Sequence, residues 1–180
     1  MLNNIAALLG GAAAAATSYE SIATVTVGAG GSSSISFSSI PSTYKHLQIR
    51  CMLLSSTATA NQAVQFNSDT GANYARHAVY GNGSTVTAAG TTGNTSIRVS
   101  TYTGASASYP SVMVIDILDY TNTNKYKTVR SLAGTDQNGA GEATFLSGLW
   151  LNTNAVTDIT ITGGGTLTQY SSFALYGVKG

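Results

Sequence analysis

The chain has very few charged residues and no run of basic ones. Asp, Glu, Lys and Arg make up only 8% of the 180 residues, against about 25% in a typical soluble domain. Eight basic and seven acidic residues leave a formal net charge of +1, and the basic positions are scattered from Lys45 to Lys179. Nucleic acid and anionic membranes require basic patches, so we expect neither as a partner. A free monomer usually keeps its net charge away from zero, so the low charge favours a protein that works inside an assembly.

Cysteine and histidine are almost missing, which narrows the possible chemistry. Cys51 is the only cysteine, so neither an intramolecular disulfide nor a Cys-based zinc site can form. Its place in LQIRCMLL predicts a buried, small apolar residue. His46 and His77 are the only imidazoles, and neither has the spacing that pairs metal ligands. We therefore predict no metal site, no cofactor and no catalytic histidine.

Proline is scarce, and helical patterning is absent beyond residue 18. From Tyr19 onward apolar residues recur with a period of two, which is typical of strands with one buried face. Turn signals rich in Gly, Asn and Asp recur roughly every 8 to 15 residues, as in antiparallel sandwiches. We predict one all-β domain over residues 19–180, an antiparallel β-sandwich of jelly-roll type. The predicted strands are Ile22–Val27, Ser34–Ser38, Tyr44–Leu54, Ala63–Phe66, Tyr74–Tyr80, Ser96–Ser100, Val112–Leu118, Tyr126–Leu132, Thr144–Leu151, Val156–Thr162 and Ser172–Val178.

The first 18 residues, MLNNIAALLGGAAAAATS, are predicted to form a separate N-terminal arm. Their apolar content imitates a secretion signal, but no Lys or Arg precedes Lys45, so the positive region of such a signal is missing. A Gly-Gly pair keeps the apolar segment well short of the about 20 residues of a membrane span. We expect an extended or short helical arm. Because Ile5, Leu8 and Leu9 have no core to enter, we predict that they and Tyr19 bind a partner.

A charged cluster stands out in FNSDTGANYARHAVYG, residues 66–81. It brings Asp69, Arg76 and His77 within nine positions. Successive side chains of a strand point to opposite faces, so Arg76 and His77 cannot share a pocket directly. We interpret the stretch as a hairpin with an Asx-type turn over residues 67–71, and not as an active site.

Asp116 and Asp119 in VMVIDILDY are the candidate pair of catalytic carboxylates. A glycosidase needs two acids about 5 to 10 Å apart, but a separation of three positions puts these two on opposite faces of a strand. We predict that Asp116 takes a cross-strand partner, Lys125, Lys127 or Arg130, and that Asp119 forms a turn. We therefore expect no enzymatic activity.

Aromatic residues are candidates for the core and for ligand contact. Trp150 alternates with Leu146 and is predicted to lie in the core. Residues 85–108, almost wholly Thr, Ser, Gly, Ala and Asn, are predicted to form long exposed loops around one short strand. The tyrosines near these loops are candidates for stacking on a sugar ring: Tyr74, Tyr80, Tyr102 and Tyr109.

Several segments resemble a β-sandwich virion protein common in tailed bacteriophages. They include SSIPSTYKHLQIR, FNSDTGANY, DYTNTNKYK and ALYGVK, and the resemblance covers Tyr19 to Gly180. It implies a capsid decoration (cement) protein, placed as a homotrimer on the outer surface of the head, that stabilises contacts between subunits of the major capsid protein. The alternative is a tail- or fibre-associated module whose residues 85–108 contact host glycans. No catalytic residues are associated with these motifs, so none is carried over.

Overall fold

The computed structural model describes residues 18–57, 61–101 and 109–180. Within these ranges the regular secondary structure consists only of β-strands. They form two antiparallel sheets packed together, which confirms the predicted all-β sandwich. The strands are β1 (Tyr19–Thr26), β2 (Ser32–Phe37), β3 (His46–Leu53), β4 (Ala63–Phe66), β5 (Tyr74–Gly81), β6 (Val86–Asn94), β7 (Ile97–Arg98), β8 (Ser111–Leu118), β9 (Lys127–Asp136), β10 (Gly141–Trp150), β11 (Ile159–Leu167) and β12 (Ser172–Val178).

The two sheets differ in width. The wide sheet has eight strands in the order β1-β12-β3-β8-β9-β10-β5-β6, and the narrow sheet has four in the order β2-β11-β4-β7. A jelly roll has eight strands arranged as two Greek keys. The division into eight and four strands does not confirm the jelly-roll part of the prediction. Of the arm predicted over residues 1–18, only Ser18 is among the described residues; Ile5, Leu8 and Leu9 lie outside them.

The segment 85–108 differs from the predicted long loops. Residues 86–94 form β6, which pairs with β5 at the edge of the wide sheet, whereas the predicted strand Ser96–Ser100 is shortened to β7. The strand β6 is not predictable from alternation, because an edge strand rich in Thr, Ala and Gly has no alternating apolar face. Backbone pairing with β5 therefore decides its conformation.

Residues 66–81 do not form the predicted hairpin. β4 pairs with β11 and β7 in the narrow sheet, while β5 pairs with β10 and β6 in the wide sheet. The segment between them crosses from one sheet to the other. The turn itself is as predicted, since Asp69 Oδ1 accepts a hydrogen bond from the Gly71 amide at 2.9 Å.

The core lies between the sheets and includes an aromatic cluster around Trp150. This side chain is 1% exposed, and its ring centroid lies 5.5 Å from that of Phe66 and 6.3 Å from that of Tyr74. The predictions that Trp150 and Cys51 are buried are confirmed. Because Phe66 belongs to the narrow sheet and Trp150 to the wide one, this aromatic cluster joins the two layers.

Candidate protein interface

The outer face of the wide sheet carries a continuous row of apolar side chains. The register of the sheet places Val114 opposite Leu132, Leu132 opposite Phe145 and Phe145 opposite Val79. Ala88 of β6 then lies opposite Val79. Residues directly opposite one another in a ladder point to the same face, so this row crosses five adjacent strands.

A second row lies beside the first and is shaped differently. From β3 to β6 it runs through Met52, Val112, Gly134, Ala143, Gly81 and Val86. The middle positions are small and the outer ones large, which leaves a shallow depression in the sheet between the two valines. We call the two rows together the apolar face: Met52, Val79, Gly81, Val86, Ala88, Val112, Val114, Leu132, Gly134, Ala143 and Phe145.

The apolar face is exposed to an unusual extent. Its six large, mostly exposed side chains, those of Met52, Val79, Val86, Val112, Leu132 and Phe145, are between 42% and 76% exposed. At ordinary side-chain areas this leaves roughly 600 Å² of apolar surface in water, the upper end of what a monomer shows in one patch. Covering that area would contribute roughly 15 kcal/mol before the costs of association. The exposed apolar area alone therefore approaches the roughly 800 Å² that each partner contributes to a standard protein interface.

A polar row without net charge borders the apolar face. Asp116 accepts hydrogen bonds at 2.8 Å from Gln48 Nε2 and from Arg130 Nε, one on each carboxylate oxygen. The prediction that Asp116 pairs across the sheet is confirmed, and Arg130 is the cation among the three proposed. An apolar centre with a satisfied polar rim is the usual anatomy of a protein interface.

The sequence contained a signal for this face that the strand predictions did not use. In SVMVIDIL of β8 and ATFLSGLW of β10 several consecutive residues are apolar, so both faces of the strand carry apolar side chains. Such runs are typical of strands covered on both sides. Here only the inner side is covered by the narrow sheet.

The carboxylate of Asp69 is held by hydrogen bonds from neighbouring side chains. Its Oδ2 accepts a hydrogen bond from Trp150 Nε1 at 2.7 Å and another from Asn73 Nδ2 at 3.0 Å. The bond from Trp150, followed by that from Asn73, lowers the pKa of Asp69 below its ordinary value. Arg76 and His77 point to opposite faces of β5, as predicted, with His77 on the outer, exposed face. The three charged residues thus do not converge.

Asp119 lies in the turn after β8, in a left-handed conformation with φ of 47°, which confirms the predicted turn. Its carboxylate pairs with Lys125 and with Lys45, and hydrogen bonds from these two lysines lower its pKa to about 2. The amide of Asp119 donates to His46 Nδ1 at 2.9 Å. Asp116 and Asp119 therefore have separate partners and do not form a pair.

The candidate tyrosines differ in how deeply they are buried. Tyr74 is fully buried, and its hydroxyl donates to the Asp69 carbonyl at 2.9 Å, so its prediction as a ligand contact is wrong. Tyr80 is partly buried against the core, and Tyr109 is 38% exposed. Tyr102 lies outside the described residues.

Tyr19, the described member of the predicted partner-binding set, lies on the edge strand β1 and is largely exposed. The Arg50 guanidinium is 5.6 Å from its ring centroid and 5.3 Å from that of Tyr176. Stacking of this kind stabilises an exposed arginine side chain. Tyr19 therefore belongs to an aromatic and cationic edge of the same outer face.

The described residues contain no grouped metal ligands and no membrane-spanning helix. Within residues 18–57, 61–101 and 109–180, no three His, Cys, Asp or Glu side chains are grouped so that they could hold a metal ion. The same ranges contain no helix that is long and apolar enough to cross a bilayer. Comparisons with protein-family models, with curated proteins and with solved structures found no match.

Proposed function

We propose that this protein is a non-catalytic structural component of a tailed-phage virion. Specifically, it is a capsid decoration (cement) protein that binds the outer surface of the head as a trimer. The observation that carries the proposal is the apolar face, which is wide and shallow and is bordered on one side by the Asp116–Arg130 pair. Such a surface suits another folded protein better than a small molecule, which needs a concave site. The resemblance of the sequence motifs to phage virion proteins supports the particular class.

The apolar face also suggests how binding would work. Burial of the two rows against the major capsid protein would provide most of the free energy, and many copies bound to one shell would add avidity. The bordering Asp116 is already paired with Arg130, so this pair adds little long-range attraction. Arg50 lies opposite Val114 at the end of the first row and forms no ion pair among the described residues, so it is the one bordering cation of this row that would attract an acidic partner. We therefore expect binding that weakens only modestly between low and high salt, because salt screens the contribution of this single exposed charge.

The test is occupancy on purified capsids. The double variant Leu132→Ser and Phe145→Ser removes two apolar side chains that are 62% and 52% exposed, so the fold should tolerate it. We expect the number of bound copies to fall about tenfold or more, since truncation of central interface residues typically costs at least about 2 kcal/mol. Tyr170→Asn is the matched control, because Tyr170 is exposed in the turn between β11 and β12 and has a φ of 73°, which Asn tolerates. Equal occupancy of the double variant and the control would contradict the proposal.

The predicted arm is tested separately by deleting residues 1–17. If Ile5, Leu8 and Leu9 reach a neighbouring subunit, the shortened protein should bind capsids less tightly. Wild-type occupancy after the deletion would remove the arm from the mechanism and leave the role of the apolar face intact.

A second candidate, a tail- or fibre-associated receptor-binding module, is favoured by a polar pocket between Arg76 and Arg98 beside residues 93–96. Copy number in purified particles distinguishes the two candidates. Hundreds of copies per virion fit a decoration protein, whereas a handful fit a tail component.

A further inference from the structure

Two arginines line a pocket at the open side of the sandwich. Arg76 lies on β5 of the wide sheet and Arg98 on β7, the edge strand of the narrow sheet. The pocket between them is also lined by Asn61, Ala63 and residues 93–96 and has a volume of about 400 Å³. Its lining is mainly amide, hydroxyl and guanidinium groups. We call it the two-arginine pocket.

No carboxylate of this chain neutralises the two-arginine pocket. All seven acidic residues of the sequence lie in the described ranges, and residues 1–17, 58–60 and 102–108 contain neither Asp nor Glu. The ion pairs of the described residues involve Glu20, Asp116 and Asp119, and none of them includes Arg76 or Arg98. Asp69 is bound by Trp150 and Asn73. The remaining acidic side chains accept hydrogen bonds from neighbours in sequence: Asp136, Glu142 and Asp158.

Arg76 is also short of hydrogen bonds. Its Nη1 is buried and has no partner, and burial, followed by repulsion from Arg98, lowers the pKa of Arg76. Arg98 has a hydrogen-bond acceptor. When the Asn61 amide is oriented to suit its neighbours, the Asn61 side-chain oxygen accepts a hydrogen bond from Arg98 Nη2 at 2.8 Å. Arg76 is half-buried, and a partly buried cation that lacks a counterion and one hydrogen-bond acceptor is destabilising by itself. An anion between the two guanidinium groups would supply the missing counter-charge and accept hydrogen bonds from their accessible N–H groups.

The chemistry of the lining narrows the class of anion. Guanidinium groups bind carboxylates through paired, charge-assisted hydrogen bonds. The Asn94 Nδ2 group already donates to the Tyr74 carbonyl and to Thr91 Oγ1, which leaves the Asn94 carbonyl oxygen and the Ser96 hydroxyl as groups suited to ring hydroxyls. The volume of about 400 Å³ lies within the usual range of small-molecule sites. We propose that the two-arginine pocket binds an acidic sugar, with the carboxylate at Arg76 and Arg98 and the hydroxyls at the amide and hydroxyl side chains. The site does not depend on whether the protein occupies the head or the tail of a virion.

The experiment is a binding titration with single sugars, followed by calorimetry or by protein NMR. The probes are glucuronate, galacturonate and N-acetylneuraminate, each compared with its own methyl ester, which keeps the ring and removes the charge. We expect at least one acid to bind about tenfold or more tightly than its ester, since hydrogen bonds to charged groups are about twice as strong as neutral ones. Arg76→Gln and Arg98→Gln should each abolish that preference. Arg50→Gln is the matched control, because it removes the same charge from the outer face, where Arg50 stacks on tyrosine rings.

Thermal unfolding adds a readout that separates ligand binding from a structural role. Without ligand, Arg76→Gln removes an uncompensated cation, so its Tm should equal or exceed that of the wild type, while the rise in Tm produced by the acidic sugar is lost. Three results would overturn the proposal: no acid preferred over its ester, the same loss of preference in Arg50→Gln, or a lower Tm of Arg76→Gln with unchanged sugar binding. Binding of inorganic sulfate that depends on both arginines, without any preference among the sugars, would also overturn it and would indicate a site for free oxoanions.

Discussion

Substitution of Asp69 by alanine should destabilise the protein through the buried tryptophan. Asp69 Oδ2 is the acceptor for Trp150 Nε1 at 2.7 Å, and Trp150 is 1% exposed. In Asp69→Ala the indole N–H loses this acceptor, and a buried donor without a partner costs about 1–3 kcal/mol. The turn also loses its bonds from Gly71 and Asn73, each contributing about 0.5–1.5 kcal/mol. We expect a decrease of about 2–6 kcal/mol in the free energy of unfolding.

The assay is equilibrium unfolding in urea, followed by circular dichroism and by fluorescence of Trp150, the single tryptophan of the chain. A double-mutant cycle with Trp150→Phe, followed by circular dichroism, isolates the contact, because the phenylalanine variant has no indole donor to leave unpaired. Asp69→Ala should therefore cost about 1–3 kcal/mol less in the Trp150→Phe background. An equal cost in both backgrounds would refute the reasoning and assign the whole effect to the turn.

Four further measurements test other parts of the fold. Lys127 is fully buried and donates to three backbone carbonyls, so Lys127→Met should lower the free energy of unfolding by about 2–4 kcal/mol in urea titrations. A Cβ on Gly148 would lie 2.4 Å from an isoleucine methyl of β7, so Gly148→Ala should cost about 1–3 kcal/mol, while Gly134→Ala, whose nearest neighbour is at 4.0 Å, should not. The pKa of Asp119 is lowered from 3.8 to about 2, so its stabilisation is complete above about pH 4 and is lost as the pH falls toward 2; Asp119→Asn should flatten the pH dependence of the urea midpoint there. Burial raises the pKa of Cys51 to about 12, so its reaction with a thiol reagent should be slow in the native protein and fast once it unfolds.

Much of the fold was predictable because it depends on local pattern. The period of two located eleven of the twelve strands, including β4 at its observed bounds, and the faces of Asp116 and Trp150 followed from the same alternation. The Asx turn at Asp69 was predictable for a similar reason, since an aspartate two positions before a glycine can accept its amide. These features involve neighbours in the chain, so the sequence contains all of their determinants.

The misplaced features depend on pairing between distant segments. The hairpin prediction for residues 66–81 failed because alternation indicates that a strand has a buried face but not which strand is its neighbour. β6 was missed because its partner β5, and not its own side chains, makes it a strand. The burial of Tyr74 was missed for the same reason, since its depth depends on the opposite sheet.

The sequence by itself determined the all-β class, the two faces of the strands that show alternation, and the shortage of charged and metal-binding groups. Only the tertiary structure decided which apolar side chains remain in solvent. Leu132 and Phe145 lie on the uncovered side because four strands cover one face of an eight-stranded sheet. The tertiary structure also brings Arg76 and Arg98 together across the two sheets, although 22 positions separate them in the sequence. Local alternation assigns a side chain to a face, whereas sheet order and layer packing decide what that face meets.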